Sequence, residues 1–189
     1  DETACAYISS YWNIPILITD HHDFSKENHY ATIINNQDGF VYNTDLCGAG
    51  VKHKLITAYC RKHDMDFHQG VLDLVALATI GDVCDMRSME NRLIVRWGIR
   101  HINNNFLRAM IDAFVSDSDI TPHNLAWNII PKINAVCRGD DEDLKAYMFD
   151  AMAEYLWGEE LGVSMEEVID LLKKQHQTQS EESKRLYEE

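Results

Sequence analysis

The sequence predicts an α/β fold: a short parallel sheet flanked by helices, followed by a helix-rich C-terminal part. Three observations predict it. The β-branched run Ile14-Pro15-Ile16-Leu17-Ile18 stops abruptly at Thr19-Asp20-His21-His22, as a buried strand does where it delivers side chains at its C-terminal end. Residues 2–11 have helical spacing and directly precede that run, the order of a βαβ unit. The nearly continuous apolar stretch 71–80, rich in Leu and Ala, is too long for an ordinary strand and reads as a buried helix.

Bulk properties narrow the function. A chain of 189 residues with 46% hydrophobic content and three prolines can build a core, which excludes wholesale disorder. The formal charge of -14, from 17 Lys and Arg against 31 Asp and Glu, excludes a global basic footprint, so any nucleic-acid contact must be local or metal-bridged. The cysteines are five in number, without CxxC spacing, which speaks against a disulfide framework or a zinc knuckle and for reduced, mostly buried thiols of a cytoplasmic protein. No apolar run is long enough to span a bilayer and no export leader is recognisable. A chain that begins at Asp1 inside a predicted helix reads as a fragment or a processed product.

In chain order, the first strand is followed by a polar loop over 23–30, a second short strand over 31–34 and turn chemistry over 35–39. Asp45 is expected to cap a helix that buries Val51, Leu55, Ala58 and Tyr59 on one face. Gly48 and Gly50 near its start permit close approach of a backbone or a phosphate, with tight packing as the plainer use. The segment 61–68 crowds His63, Asp64, Asp66 and His68 together, yet lies between cations and an apolar helix and reads as a solvated loop with Asp66 near a cap. Asp82 stands at the exit of the apolar helix 71–80, where a desolvated carboxylate needs a metal, an Arg or backbone N–H groups. Residues 90–103 form a predicted amphipathic helix with Ile94, Trp97 and Ile102 on its apolar stripe. Arg92, Arg96 and Arg100 lie largely off that stripe as a positive row, which usually pairs with acidic neighbours. A short helix spans 106–115, 116–119 is a linker, and Thr121-Pro122 starts another helix in a cap and first-turn arrangement. Arg138 and Asn134 can bind an anionic oxygen, by a two-pronged guanidinium contact and by an amide N–H. The chain then becomes helical and acidic, ending in a mostly polar helix over 164–189 that suits a connector or a face awaiting a partner.

Several of these stretches together resemble one family. Ile18-Thr19-Asp20-His21-His22 resembles the signature of the DHH phosphoesterases. Leu46-Cys47-Gly48-Ala49-Gly50-Val51, the run from Leu72 to Val83, Glu90-Asn91-Arg92 and the stretch from Pro131 to Arg138 resemble the RecJ branch, in order, over about three quarters of the chain. The resemblance implies a DHH-type α/β core holding two divalent cations, Mn²⁺ or alternatively Mg²⁺, and 5′ to 3′ exonuclease action on single-stranded DNA. Carried over, it makes His21 and Asp82 metal ligands, His22 a catalytic or phosphate-contacting residue, Asp20 its supporting acid, and Arg138 with Asn134 the contacts to the scissile phosphate. It divides the chain into 1–158, part of the core domain, and 159–189, a connector toward a C-terminal domain. Single-stranded DNA is the implied partner, with single-strand-binding or repair proteins as further ones and no membrane.

The departures from the family pattern have consequences. The paired and bridging aspartates that precede the triplet in the family are not in this chain, so a segment upstream of Asp1 is expected to supply them. Cys84 and Asp85 replace small residues or a proline, which makes Asp85 an added carboxylate or a solvent-facing one. Two rival functions stay open: a DHH phosphodiesterase for short oligonucleotides or cyclic dinucleotides, and a non-catalytic replication or repair scaffold of the same fold.

Overall fold

The computed structural model describes residues 2–23, 28–37, 43–66, 69–116, 119–157 and 164–188. Helix α1 (Glu2–Trp12) leads into β1 (Leu17–Asp20), which pairs in parallel with β2 (Thr32–Asn35), Leu17 facing Thr32 and Asp20 facing Asn35. The first strand starts three residues later than the apolar run. Pro15 has no N–H to give the ladder and Asn13 adopts a left-handed backbone, φ 50°, so regular pairing waits for the Thr32 N–H, which donates to the Ile16 carbonyl. The expectation of a buried strand is corrected: Ile14 is 51% and Leu17 54% exposed. Among the described residues the sheet has two strands, and α2 (Gly48–Lys62) packs against β1.

Two expectations about α2 are also corrected. Its N-cap is Cys47, without a side-chain cap bond, because Asp45 is held in a preceding turn whose N–H donates to Asn43 Oδ1 at 3.1 Å. Its buried residues are Gly50, Val51 and Cys60, while Ala58 and Tyr59 are exposed, so the inward face is rotated from the predicted one. A Cβ on Gly50 would come within 3.0 Å of Leu46 Cδ2, the tight-packing use of that glycine.

Helix α3 (Leu72–Gly81) is the buried helix the apolar run predicted, and α4 (Met89–Gly98) crosses it closely. The latter starts at a Ser88 cap and ends five residues before the predicted boundary. Its buried residues are Asn91, Val95 and Gly98, and Trp97 is exposed rather than on an inward stripe. Gly98 explains the difference. A Cβ there would meet Ala76 Cβ at 2.5 Å and the Leu72 carbonyl oxygen at 2.6 Å, so α4 turns its smallest residue to α3. Gly98→Ala is expected to destabilise the protein by about 2–3 kcal/mol, the upper range of ordinary overpacking, read from the urea midpoint.

The remaining helices enclose the core. They are α5 (Asn105–Phe114), the single turn α6 (Pro122–Asn124), α7 (Ile130–Arg138), α8 (Glu142–Trp157) and α9 (Met165–Glu188). Thr121 forms a full capping box with Asn124, as Thr121-Pro122 predicted. Between α6 and α7, residues Leu125–Ile129 form a π-helical turn. Pro131 lacks an N–H and its ring would press on the carbonyl four residues back, so the wider turn lets the helix continue past it. Phe106, Leu107, Met110, Leu125, Ile129, Met148 and Leu172 are fully buried together. Val168, Ile169 and Leu172 bring the start of α9 into this core, while residues 180–185 are exposed.

The five cysteines are free thiols, three buried, Cys84 half-buried and Cys137 exposed, in keeping with a reduced chain. Among the described residues no helix is long and apolar enough to cross a membrane.

Candidate metal centre

The site forms where β1 ends. Asp20 is the last residue of the strand, and His21 and His22 follow it directly. Their carbonyls are gripped from the end of β2, because Asn35 Nδ2 donates to the His22 carbonyl at 2.9 Å and Gln37 Nε2 to the His21 carbonyl at 3.2 Å. The two rings lie 4.2 Å apart, centroid to centroid. His22 Nδ1 is 2.8 Å from Asp20 Oδ1, and this hydrogen bond holds the Asp20 carboxyl below the usual carboxylate range. An ionised carboxylate only accepts, so His22 carries its proton on Nδ1 and leaves Nε2 for another partner.

The half-buried His21 ring lies against that of His22 and brings Nε2 to 3.7 Å from Asp82 Oδ2. Gly48 lies beside it, where a Cβ would come into ordinary contact with His21 Cδ2 at 3.4 Å. Asp82 occupies the cap position of α3, and the chain turns away through Val83 in a left-handed backbone, φ 53°. The Cys84 N–H donates to the Thr79 carbonyl and the Val83 N–H to the Ile80 carbonyl. This is the helix-ending pair of bonds that normally recruits glycine, so a β-branched residue is strained here. The expectation that Asp82 is desolvated is corrected: its side chain is 48% exposed, standing beyond the last buried turn of the helix.

Two concavities meet at Asp82. One, of about 330 Å³, is a polar groove lined by His21, Gln37, Thr44, Asp45, Leu46 and residues 82–85. The other, of about 300 Å³, is mostly apolar, with Asn134 and Arg138 from α7 on its wall. The predicted site residues thus fall into a His22–Asp20 pair, a His21–Asp82 pair, and Asn134 with Arg138 around a cavity shared with Asp82. Asp85 lines the groove and accepts from the Arg87 backbone N–H and Nε. His63 lies against Tyr59 with the rings tilted at 38° and is exposed with Asp64 and Asp66. His68, the loop residues 24–27 and the turn residues 38–42 lie outside the described residues.

Sequence reasoning missed the frame behind the site. Asn36 donates from its amide toward the carbonyls of Asn43, Thr44 and Leu46, at 3.4, 2.8 and 3.0 Å. Asn91, fully buried, donates to the carbonyls of Asp45 and Asp85 at 2.9 and 3.1 Å, so one side chain ties both walls of the groove. The sequence signals were the cluster Asn35-Asn36-Gln37, which turn composition explains equally well, and Glu90-Asn91-Arg92, which the resemblance marked without showing what its side chains hold. Glu90 anchors the same frame. Burial pushes its carboxyl up, but Lys54 Nζ at 2.7 Å and Asn43 Nδ2 at 3.0 Å outweigh that and hold it below its ordinary value of 4.5. A depressed native pKa gives stability that is present above the unfolded value and lost as pH falls through the native one. Amide exchange in residues 43–46 is therefore expected to accelerate below pH 4.5, and to be already fast and nearly pH-independent there in Glu90→Gln after correction for intrinsic rates.

The donor set fits a divalent metal ion. Asp20, His21 and His22 offer ligand atoms all within 4.8 Å of one another, and His21 lies 3.7 Å from Asp82. Two donors at about 2.1 Å from one ion are separated by roughly 3–4 Å, so the His21–Asp82 spacing suits a shared cation. Carboxylates together with imidazoles form a mixed oxygen and nitrogen donor set of the kind that holds a divalent metal ion.

No family model matches the chain. It is 30% identical over 139 residues, 72% of its own length, to a Bacillus subtilis (strain 168) protein named "Putative SPbeta prophage-derived single-strand DNA-specific exonuclease YorK". The same figures hold for the corresponding protein of Bacillus phage SPbeta, named "Putative single-strand DNA-specific exonuclease yorK". The chain spans about a quarter of the length of these curated relatives, 24%. Its backbone superposes on an exonuclease RecJ crystallised with manganese at a TM-score of 0.75 and 21% identity, covering 100% of this chain and 48% of that one. Against the RecJ of Thermus thermophilus in complex with Mn²⁺ the TM-score is 0.72 at 20% identity, covering 97% and 28%. With the Asp20-His21-His22 triplet at the strand end and this backbone, the chain belongs to the RecJ-type branch of the DHH phosphoesterase family.

Proposed function

We propose that this chain carries one wall of a divalent-metal site in a nuclease that hydrolyses single-stranded DNA from its 5′ end. The observation that carries the reading is the pairing of His21 with Asp82 beside the hydrogen-bonded His22–Asp20 pair. His21 and Asp82 are the metal ligands, and bound Mn²⁺ supplies an activated water and stabilises charge on the phosphate. His22, fixed by Asp20 through Nδ1, presents Nε2 as a proton acceptor beside the reacting phosphate, while Arg138 and Asn134 hold that phosphate from the α7 side. Two donors fill a small part of an oxygen-rich coordination shell, so further carboxylates from a segment upstream of this chain complete it. The names and manganese complexes of the relatives support this reading.

The test uses the intact protein and single-stranded DNA labelled at its 5′ end. Release of mononucleotides is expected with Mn²⁺ and not with EDTA. His22→Ala is expected to slow it about 10²–10⁴-fold while leaving Mn²⁺ affinity unchanged by calorimetry. Robust metal-dependent cleavage by residues 1–189 alone, retained in His22→Ala, would overturn the proposal.

A further inference from the structure

Helix α4 carries Arg92 and Arg96 four residues apart, and Arg100 continues the spacing in the turn just past its end. Four residues advance a helix about 6 Å and slightly more than one revolution, so the three stems line one flank. All are exposed, and among the described residues none of the three makes an ion pair or a side-chain hydrogen bond. That is unexpected with 31 acidic residues in the chain. The carboxylate of the helix itself, Glu90, is turned to the opposite flank by Lys54 and Asn43. Beside the arginine row Trp97 is exposed, and His101 stacks on one of its faces at 4.3 Å and 22°, held there by a bond from Nδ1 to the Trp97 carbonyl. The other edge of the row rims an apolar groove of about 570 Å³ formed by Met86, Val95, Ile99, Ile120 and Pro122. Met86, on the rim of this groove, directly follows Asp85, which lines the polar groove at the metal centre, so one stretch of chain borders both.

We infer that this face of α4 is a track for the single strand beyond the metal centre. Arg92, Arg96 and Arg100 hold successive phosphates at a helical step comparable to the phosphate spacing of an extended strand. The Trp97–His101 pair offers a pre-ordered ring face for stacking a base, and the apolar groove takes bases or sugars turned inward. Cations in a row beside an aromatic platform are what sequence-independent single-strand binding requires. An acidic protein can hold DNA this way, because its local charge is positive where its carboxylates are turned aside. The inference takes its substrate from the nuclease reading above.

Binding and cleavage separate the two claims. Anisotropy of fluorescein-labelled oligothymidine is measured with the intact protein in EDTA, where no cleavage occurs. Arg96→Glu with Arg100→Glu is expected to weaken binding at least tenfold and to lower the slope of log affinity against log salt by about 0.7 for each arginine lost. Trp97→Ala is expected to weaken it about fivefold or more. In the cleavage assay the charge reversals are expected to raise KM for a long strand, with kcat and the KM of a thymidine trinucleotide unchanged. Unchanged oligothymidine binding in all variants overturns the track and leaves α4 as a face for an acidic protein. Binding that responds as expected in a protein that cleaves nothing overturns the nuclease reading and keeps the track.

Discussion

Replacing Asp82 by asparagine in the intact protein is expected to lower Mn²⁺-dependent cleavage of single-stranded DNA about 10²–10³-fold, with little change in thermal stability. Two physical facts separate these outcomes. The carboxylate faces His21 Nε2 at 3.7 Å and borders both concavities, so in the proposed role neutralising it would remove a charged ligand where charge would build up on the phosphate. A metal contributes several kcal/mol of transition-state stabilisation, and each 1.4 kcal/mol is about tenfold in rate. The fold depends on the Asp82 backbone instead, whose N–H donates to the Ala78 carbonyl at 2.9 Å and is untouched by the substitution. The measurements are single-turnover cleavage over a Mn²⁺ series and a melting curve. A loss of rate matched by a collapse in melting temperature would count against a ligand role.

Asp73→Ala should produce the largest loss of stability, about 3–5 kcal/mol, without touching the metal centre. Asp73 is 1% exposed in the first turn of α3. Its Oδ2 accepts the N–H groups of Asn103 and Asn104, both at 2.8 Å, and its Oδ1 accepts that of Leu74. Asn104 is in turn the cap of α5 and donates from its amide to the Met152 carbonyl at 2.8 Å in α8. One carboxylate therefore sits where two helix starts converge, favoured by both dipoles, and fastens α3 to α5 and through it to α8. Removing it leaves buried donors unpaired at about 1–3 kcal/mol each. Urea unfolding with an unchanged slope is the readout, and Asp73→Asn, which keeps an acceptor oxygen, should lose less.

What could be read from the residues depended on how local the cause was. The apolar run around Val75 and Leu77 announced α3 because burial needs continuous apolar character, and Thr121-Pro122 announced its cap because cap chemistry lies within four residues. The His21–Asp82 pairing was legible only through the resemblance, since the two lie 61 positions apart (82 less 21) and spacing alone cannot close such a loop. Asp73 escaped notice because a single acid in an apolar run looks like a flaw until the donors it serves, the N–H groups of Asn103 and Asn104, are brought near. The inward face of α4 was misjudged for a similar reason. Trp97 is the most hydrophobic-looking candidate on that helix, yet the approach of α3 is so close that only Gly98 fits.

The asparagine frame has a consequence for how the molecule ages. Neutral side-chain amides do not titrate, so Asn35, Asn36, Gln37 and Asn91 hold the walls of the groove alike in neutral and mildly acidic water. The same groups are perishable by hydrolysis. Deamidation of Asn36 would exchange an N–H₂ that serves three carbonyls for a carboxylate oxygen aimed at them. A frame indifferent to pH is thus exposed to slow chemical wear, with a change of one atom enough to push the groove apart.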